Sequence, residues 1–187
     1  MTVEGSVTIE NTLDVQAMAN VCVVTGNVIV EANGMTTFSL PVLASVGGSV
    51  RIEFNDALTT FSIPVLASAG GVSIGDNAAL TSLSLPVLAS AGSVFIQFND
   101  ALTSISLPVL ASVGGSVFIQ FNDALTSISL PVLASVGGSV RIEFNAALTS
   151  ISFPVLASVA GDVSIGGNDA LRTCTGLLIV NVGDCIQ

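Results

Sequence analysis

The chain is 187 residues long and 51% hydrophobic, and carries 3 basic against 13 acidic side chains with no histidine, for a net charge of −10. So few cations cannot neutralise a phosphate backbone, which excludes nucleic-acid binding; the absence of His, Lys, Tyr and Trp removes Ser–His and Cys–His nucleophiles, Schiff-base chemistry and His-ligated metals. Mean hydropathy reaches +0.89, yet the apolar residues come in short runs broken by Ser, Thr, Gly or Asn, far below the ~20 residues that span a bilayer as a helix.

The first segment, NTLDVQAMANVCVVTGN, keeps the spacing of the later segments but lacks their proline, and a short helix begun by Asn11 or Thr12 is expected there. Beyond it the six prolines, Pro41, Pro64, Pro86, Pro108, Pro131 and Pro154, recur at nearly even steps of about 23 residues, and a fixed period of this size marks stacked repeats rather than a globule. Asn33, Asn55, Asn77, Asn99, Asn122, Asn145 and Asn168 keep the same interval. Val94 to Ser116 and Val117 to Ser139 are identical, which points to recent duplication or consensus construction.

Within one unit, Val94, Ile96 and Phe98 alternate with Phe95 and Gln97, the period-2 pattern of a strand with its first set facing inward. Asn99 and Asp100 turn the chain. Leu102, Ile105 and Leu107 follow as a second short strand with Ser104 and Ser106 outside, and Pro108, lacking an N–H, ends it. Leu110 and Val113 return to the core, and Gly114 and Gly115 permit the last corner. Two strands and three corners per unit predict an all-β fold: a single parallel β-solenoid of about eight coils with atypical terminal caps. The recurring asparagines, at one corner of each coil, are expected to form a ladder in which each amide bonds backbone groups of its own coil and the next.

One domain covers the chain: residues 1–27 as N-terminal cap and irregular coil, 28–170 as regular repeats, and 171–187 as C-terminal cap. Cys174 and Cys185 fall after the last regular unit and are expected to staple the terminal coil as a disulfide, the alternative being two buried thiols; Cys22 stands alone. A disulfide implies an oxidising compartment, hence an extracellular, cell-surface or virion location. Against export, the opening MTVEGSVTIEN carries neither the basic nor the apolar region of a leader, so a trimmed leader, unconventional export and intracellular assembly stay open as expectations.

The unit ALTSISLPVLASVGGSVFIQFN, with its pattern L-T-S-I-x-L-P-x-L-x-S-V-G-G-x-V-x-I, resembles the leucine-rich-repeat-like coils of receptor L domains and fungal cell-wall organisation proteins, and overlaps with bacterial and protist surface repeats of the BspA type. The similarity covers about Gly26 to Ile165. It implies a right-handed coil and extracellular recognition, adhesion or wall structure without catalysis. The repeats are more uniform and the cysteines fewer than in receptor L domains, and a true strand stands where BspA-type repeats have a short A-F-x-x-C segment.

Outward positions on the first strand vary most. Coil by coil they read Ile29, Arg51, Ser73, Phe95, Phe118, Arg141, Ser164 and then Glu31, Glu53, Gly75, Gln97, Gln120, Glu143, Gly166. Phe95, Gln97, Phe118, Gln120, Arg141 and Glu143 make an aromatic patch with polar neighbours, the composition of a protein or carbohydrate contact; the same residues also suit a stacked ladder that stabilises the sheet. The second strand offers a hydroxyl lattice: Thr60/Ser62, Ser82/Ser84, Ser104/Ser106, Ser127/Ser129 and Ser150/Ser152. Glu31 and Glu53 lie at a glycosidase-like separation but without a cleft. Asp100 and Asp123 share a corner that Ala78 and Ala146 interrupt, so no metal is expected there. No catalytic residue or cofactor is expected. The expected function is non-enzymatic recognition or adhesion, binding protein or glycan through the Phe95–Phe118 face. The alternatives are a building block that packs against copies of itself in a wall, filament or virion, and an ice-binding surface.

Overall fold

Val72, Val94, Val117, Val140 and Val163 stand above one another, each paired in parallel register with the equivalent valine of the adjoining turn. This stacking runs through residues 1–176, which the computed structural model describes, and makes the chain a parallel β-solenoid of about eight turns. The strand forms because β-branched and aromatic residues suit a pleated, half-buried surface. Val117 and Ile119 are 1% and 0% exposed, while Phe118 lies half-buried on the other side.

Each regular turn carries three strand ladders, one more than the sequence pattern suggested. In the central turn they are Ser104–Ser106, Ser112–Val113 and Val117–Gln120. The short Ser-Val strand pairs Ser112 with Ser90 and Ser135, so Val113 belongs to a sheet as well as to the core. Ser45–Glu53 and Ser68–Gly75 run unbroken through the glycine corner and join the two neighbouring ladders into one 14-stranded sheet. The small difference in length between one turn and the next is also accommodated here. Gly70-Gly71-Val72 lacks the serine of Gly47-Gly48-Ser49-Val50, and the register shift between Val46 and Ser49 absorbs the difference.

Two turn types close the other corners. Leu110 N–H donates to the Leu107 carbonyl at 3.4 Å, with Pro108 in the second position of the turn, where its fixed φ is already correct. Leu102 N–H donates to the Asn99 carbonyl at 3.0 Å. Between them Leu102, Ile105, Leu107, Leu110, Val113, Val117 and Ile119 fill the interior, none more than 9% exposed. Burying each such side chain is worth about 1.5–3 kcal/mol, so the stability of a narrow coil is spread along its whole axis. At the start, Thr12–Ala17 forms a helix in the place later held by the Ser-x-Ser strand. Asn11 caps it, its side chain accepting from Leu13 N–H at 2.8 Å and Asp14 N–H at 3.2 Å, while the Asp14 carboxylate accepts from Asn11 N–H.

Asparagine forms a continuous ladder inside the coil. Asn122 Oδ1 accepts from the Asn99 backbone N–H at 3.3 Å and from Asn99 Nδ2 at 3.1 Å. Asn122 Nδ2 in turn reaches the Ile96 carbonyl of the preceding turn, the Gln120 carbonyl of its own turn and Asn145 Oδ1 of the next, at 3.0, 3.0 and 3.2 Å. Asn55, Asn99 and Asn145 repeat these Nδ2 bonds and Asn77 all but the one to its own turn; all four are fully buried, and Asn168 is 2% exposed. No buried side-chain nitrogen or oxygen among the described residues lacks a partner, as a buried polar row requires.

Asn33 is a correction to the expected ladder. It is exposed, and Ala32 takes the inward place, its N–H donating to Asn55 Oδ1 at 2.6 Å. Ala32 also opens a β-turn closed by Met35 N–H at 3.0 Å, in which Asn33 is second and Gly34, with φ +101°, is third. The spacing carried the warning: Pro41 stands one position closer to Asn33 than Pro64 does to Asn55, and every later turn keeps the longer spacing.

Phe98 is the second correction. It does not continue the inward series of Val94 and Ile96 but is 46% exposed. The residue before each buried asparagine has a left-handed backbone: Phe54 (φ 61°), Asp76 (53°), Phe98 (57°), Phe121 (55°), Phe144 (56°) and Gly167 (66°). That single left-handed step reverses the alternation, turning the asparagine in and its predecessor out.

Candidate functional site

The left-handed step produces a row of exposed aromatic rings. Phe98, Phe121 and Phe144 stack face to face on successive turns, with ring centroids 4.8 and 4.9 Å apart and interplanar angles of 4° and 10°. They are 46%, 37% and 50% exposed, and Phe54, two turns before Phe98, is 63% exposed. Period-2 reading hid this row by assigning Phe98 to the core. The signal that reveals it is Asp76 and Gly167 at the same repeat position, since neither is a core residue.

The six residues singled out from sequence lie beside that row and form one patch. Phe95 and Phe118 pack with centroids 5.1 Å apart at 32°, and the Arg141 guanidinium carbon lies 5.2 Å over the Phe118 ring. Their pairing is in register, Phe95 with Phe118 and Phe118 with Arg141. Both phenylalanines are half-buried rather than freely exposed, because each covers the other. One pleat further along, Gln97 Nε2 donates to Gln120 Oε1 at 2.6 Å, Gln120 Nε2 donates to Glu143 Oε2, and the Ser164 hydroxyl donates to Glu143 Oε1. Gln120, held from both sides, is 9% exposed.

The face therefore carries three parallel columns: Phe95, Phe118, Arg141; Gln97, Gln120, Glu143; and Phe98, Phe121, Phe144. Stacking and cation–π contact fix the first and third, and an amide-to-carboxylate hydrogen-bond chain fixes the second. Side chains held this way lose little further entropy when a partner covers them. The ladder is established by these contacts, and it leaves Arg141 exposed at its edge.

The other positions named from the sequence fall as follows. The hydroxyl lattice is exposed along Ser82–Ser84, Ser104–Ser106 and Ser127–Ser129, and Thr37/Ser39 and Thr173/Thr175 extend it at either end. The neighbouring threonines Thr59, Thr81, Thr103, Thr126 and Thr149 turn their hydroxyls to carbonyls of the preceding turn. Asp100 and Asp123 are exposed turn residues, and no cluster of three or more His, Cys, Asp or Glu side chains suited to a metal occurs among the described residues. Glu53 is half-buried and accepts the Ser73 hydroxyl, whereas Glu31 is exposed. Cys174 lies on the strand Thr173–Thr175; its expected partner Cys185 is outside the described residues. Cys22 is a free, half-buried thiol. No helix among the described residues is long and apolar enough to cross a membrane.

Compared with protein-family models, curated proteins and solved structures, the chain matches none of them. The architecture shown is that of a parallel β-solenoid.

Proposed function

We propose that the protein is a non-enzymatic recognition or adhesion module of the leucine-rich-repeat-like, receptor L domain or BspA kind, placed on a cell, wall or virion surface and binding protein or glycan. The observation that carries this reading is the column Phe98, Phe121, Phe144, three exposed rings in continuous stack beside an Arg-capped aromatic pair. Aromatic rings and arginine on a pre-ordered strand face are the side chains that dominate interface energetics. An aromatic shelf of this length also matches the flat apolar faces of pyranose rings. The repeat pattern of the chain, which resembles surface families, supports the location.

The test is binding to a glycan array and to intact cells by the parent protein and by Phe121→Ser plus Phe144→Ser. The double variant is expected to fold, because both side chains lie outside the core, and to lose binding. Retention of binding by the folded variant overturns the reading.

A second reading, a self-packing structural block, is supported by the ridge that follows each proline. Val42, Val65, Val87, Val109, Val132 and Val155 are 37–51% exposed in one line along the coil. Sedimentation that shows concentration-dependent assembly, lost in Val87→Ser plus Val109→Ser plus Val132→Ser and kept in the phenylalanine double variant, would favour it.

A further inference from the structure

The aromatic column has a gap. Reading up the face in register, the outward residues are Arg51, Ser73, Phe95, Phe118 and Arg141. On one side of Phe95 a ring fills the space to the arginine: Phe118 sits 5.1 Å from Phe95 and 5.2 Å from the Arg141 guanidinium. On the other side Ser73 leaves that space empty, and the position beside it in the polar column is Gly75. The result is a cavity of about 310 Å³ lined by Arg51, Glu53, Gly70, Gly71, Ser73 and Phe95. Two strand spacings, about 9.6 Å, separate the turns that carry Arg51 and Phe95.

Two further observations mark this as more than a run of small residues. Arg51, unlike Arg141, has no ring beneath it, and among the described residues it makes no hydrogen bond or ion pair. Glu53 is half-buried at the rim with Oε1 taken by the Ser73 hydroxyl, while Oε2 has no partner among the described residues. An arginine, an aromatic ring and a carboxylate with one unpartnered oxygen thus line a single cavity.

We propose that the notch over Ser73 binds a single planar aromatic ring bearing an N–H or O–H donor, the side chain of a tryptophan or tyrosine on a protein partner. The ring completes the column as Arg51, ring, Phe95, in the same spacing that Phe118 already shows between Phe95 and Arg141, and its donor reaches Glu53 Oε2. This inference rests on the reading of the face as a recognition surface and names the chemistry of one of its anchors.

The chain contains no Trp or Tyr, so the fluorescence of N-acetyl-tryptophanamide added to it reports the ligand alone. Titration of the protein is expected to give a saturable emission change, with amide chemical-shift changes centred on Gly71, Ser73 and Phe95. Ser73→Phe places the chain's own ring in the gap and is expected to abolish the signal while its circular dichroism stays that of the parent. Arg51→Ala is expected to weaken binding roughly three- to fivefold by loss of the cation–π contact. Absence of saturation, an unchanged affinity in Ser73→Phe, or shifts confined to Phe98, Phe121 and Phe144 would each overturn the proposal. If the ring fails to bind while Phe121→Ser plus Phe144→Ser still abolishes attachment to cells, the notch is refuted and the wider recognition reading stands.

Discussion

Phe121 and Asn122 are adjacent in the chain and point to opposite sides of the coil wall, Phe121 37% exposed and Asn122 fully buried. The left-handed backbone at Phe121, φ 55°, makes this possible. Left-handed φ at a non-glycine residue costs about 1–2 kcal/mol, a cost that recurs at Phe54, Asp76, Phe98 and Phe144. The asparagine row offsets it: each buried amide satisfies backbone groups of two turns that no water reaches. The exposed phenylalanine stack is thus a geometric consequence of the internal ladder, and the ladder that holds the turns together also builds the outer surface.

Removing one rung tests the first half of that statement. Asn122→Ala strips acceptors from the Asn99 N–H and Nδ2 and donors from the Ile96 and Gln120 carbonyls. A loss of about 2–4 kcal/mol is expected, since each buried group left unpaired costs about 1–3 kcal/mol. Asn33→Ala, at an exposed turn position, is expected to change stability by less than about 0.5 kcal/mol. Urea denaturation compares the two, and amide exchange is expected to place the damage of Asn122→Ala in the turns beside it, because each turn contacts only its neighbours. Equal effects for the two substitutions would refute the ladder.

Phe121 tests the second half. Phe121→Gly removes two stacked pairs, at 4.8 and 4.9 Å, worth about 0.5–1.5 kcal/mol each, and relieves the left-handed cost, so the net change is expected to stay within about 1 kcal/mol. Phe121→Val loses the same stacking and keeps a β-branched residue at positive φ, and a loss of about 2–3 kcal/mol is expected. Thermal unfolding ranks the pair; a valine variant as stable as the glycine variant would show that backbone strain is absent.

The glycine corner separates two residues that look alike in sequence. A Cβ on Gly92 would run into the Gly70 carbonyl oxygen, part of a backbone that cannot step aside, whereas on Gly114 the nearest atom is the Gly92 carbonyl oxygen at 3.8 Å. Gly92→Ala is therefore expected to destabilise by more than about 2 kcal/mol, and Gly114→Ala to be neutral or stabilise by up to about 1 kcal/mol by restricting the unfolded chain. Denaturation midpoints of the two variants decide it, and a tolerated Gly92→Ala would mean the turns are further apart here than the structure has them.

Much of the architecture is legible in the order of residues. The proline and asparagine intervals specify one turn per repeat, the Val-x-Ile and Leu-x-x-Ile-x-Leu spacings specify strands, and Asn11 marks the helix start through a local cap. Each of these signals is local or periodic, and stacking identical turns converts a linear period into register without further information. The members of the Phe95, Phe118, Arg141 patch were legible for the same reason, because residues one period apart must be neighbours.

Which way a side chain points was not legible where two rules conflict. Strict alternation sends Phe98 inward and Asn99 outward; burial of the asparagine row demands the reverse. Only the assembled coil resolves this, because the hydrogen bonds that stabilise Asn99 come from the turns of Asn77 and Asn122, and those bonds exist only once the turns are stacked. The same holds for Asn33, whose interval fits the ladder while its turn does not, and for the notch at Ser73, where the space between Arg51 and Phe95 depends on side chains from three successive turns. That the chain winds, and with what period, follows from the amino-acid order, since periodic burial is written residue by residue. Which residues meet solvent at the corners is a property of the stacked coil, since backbone handedness there is selected by the collective satisfaction of polar groups in neighbouring turns.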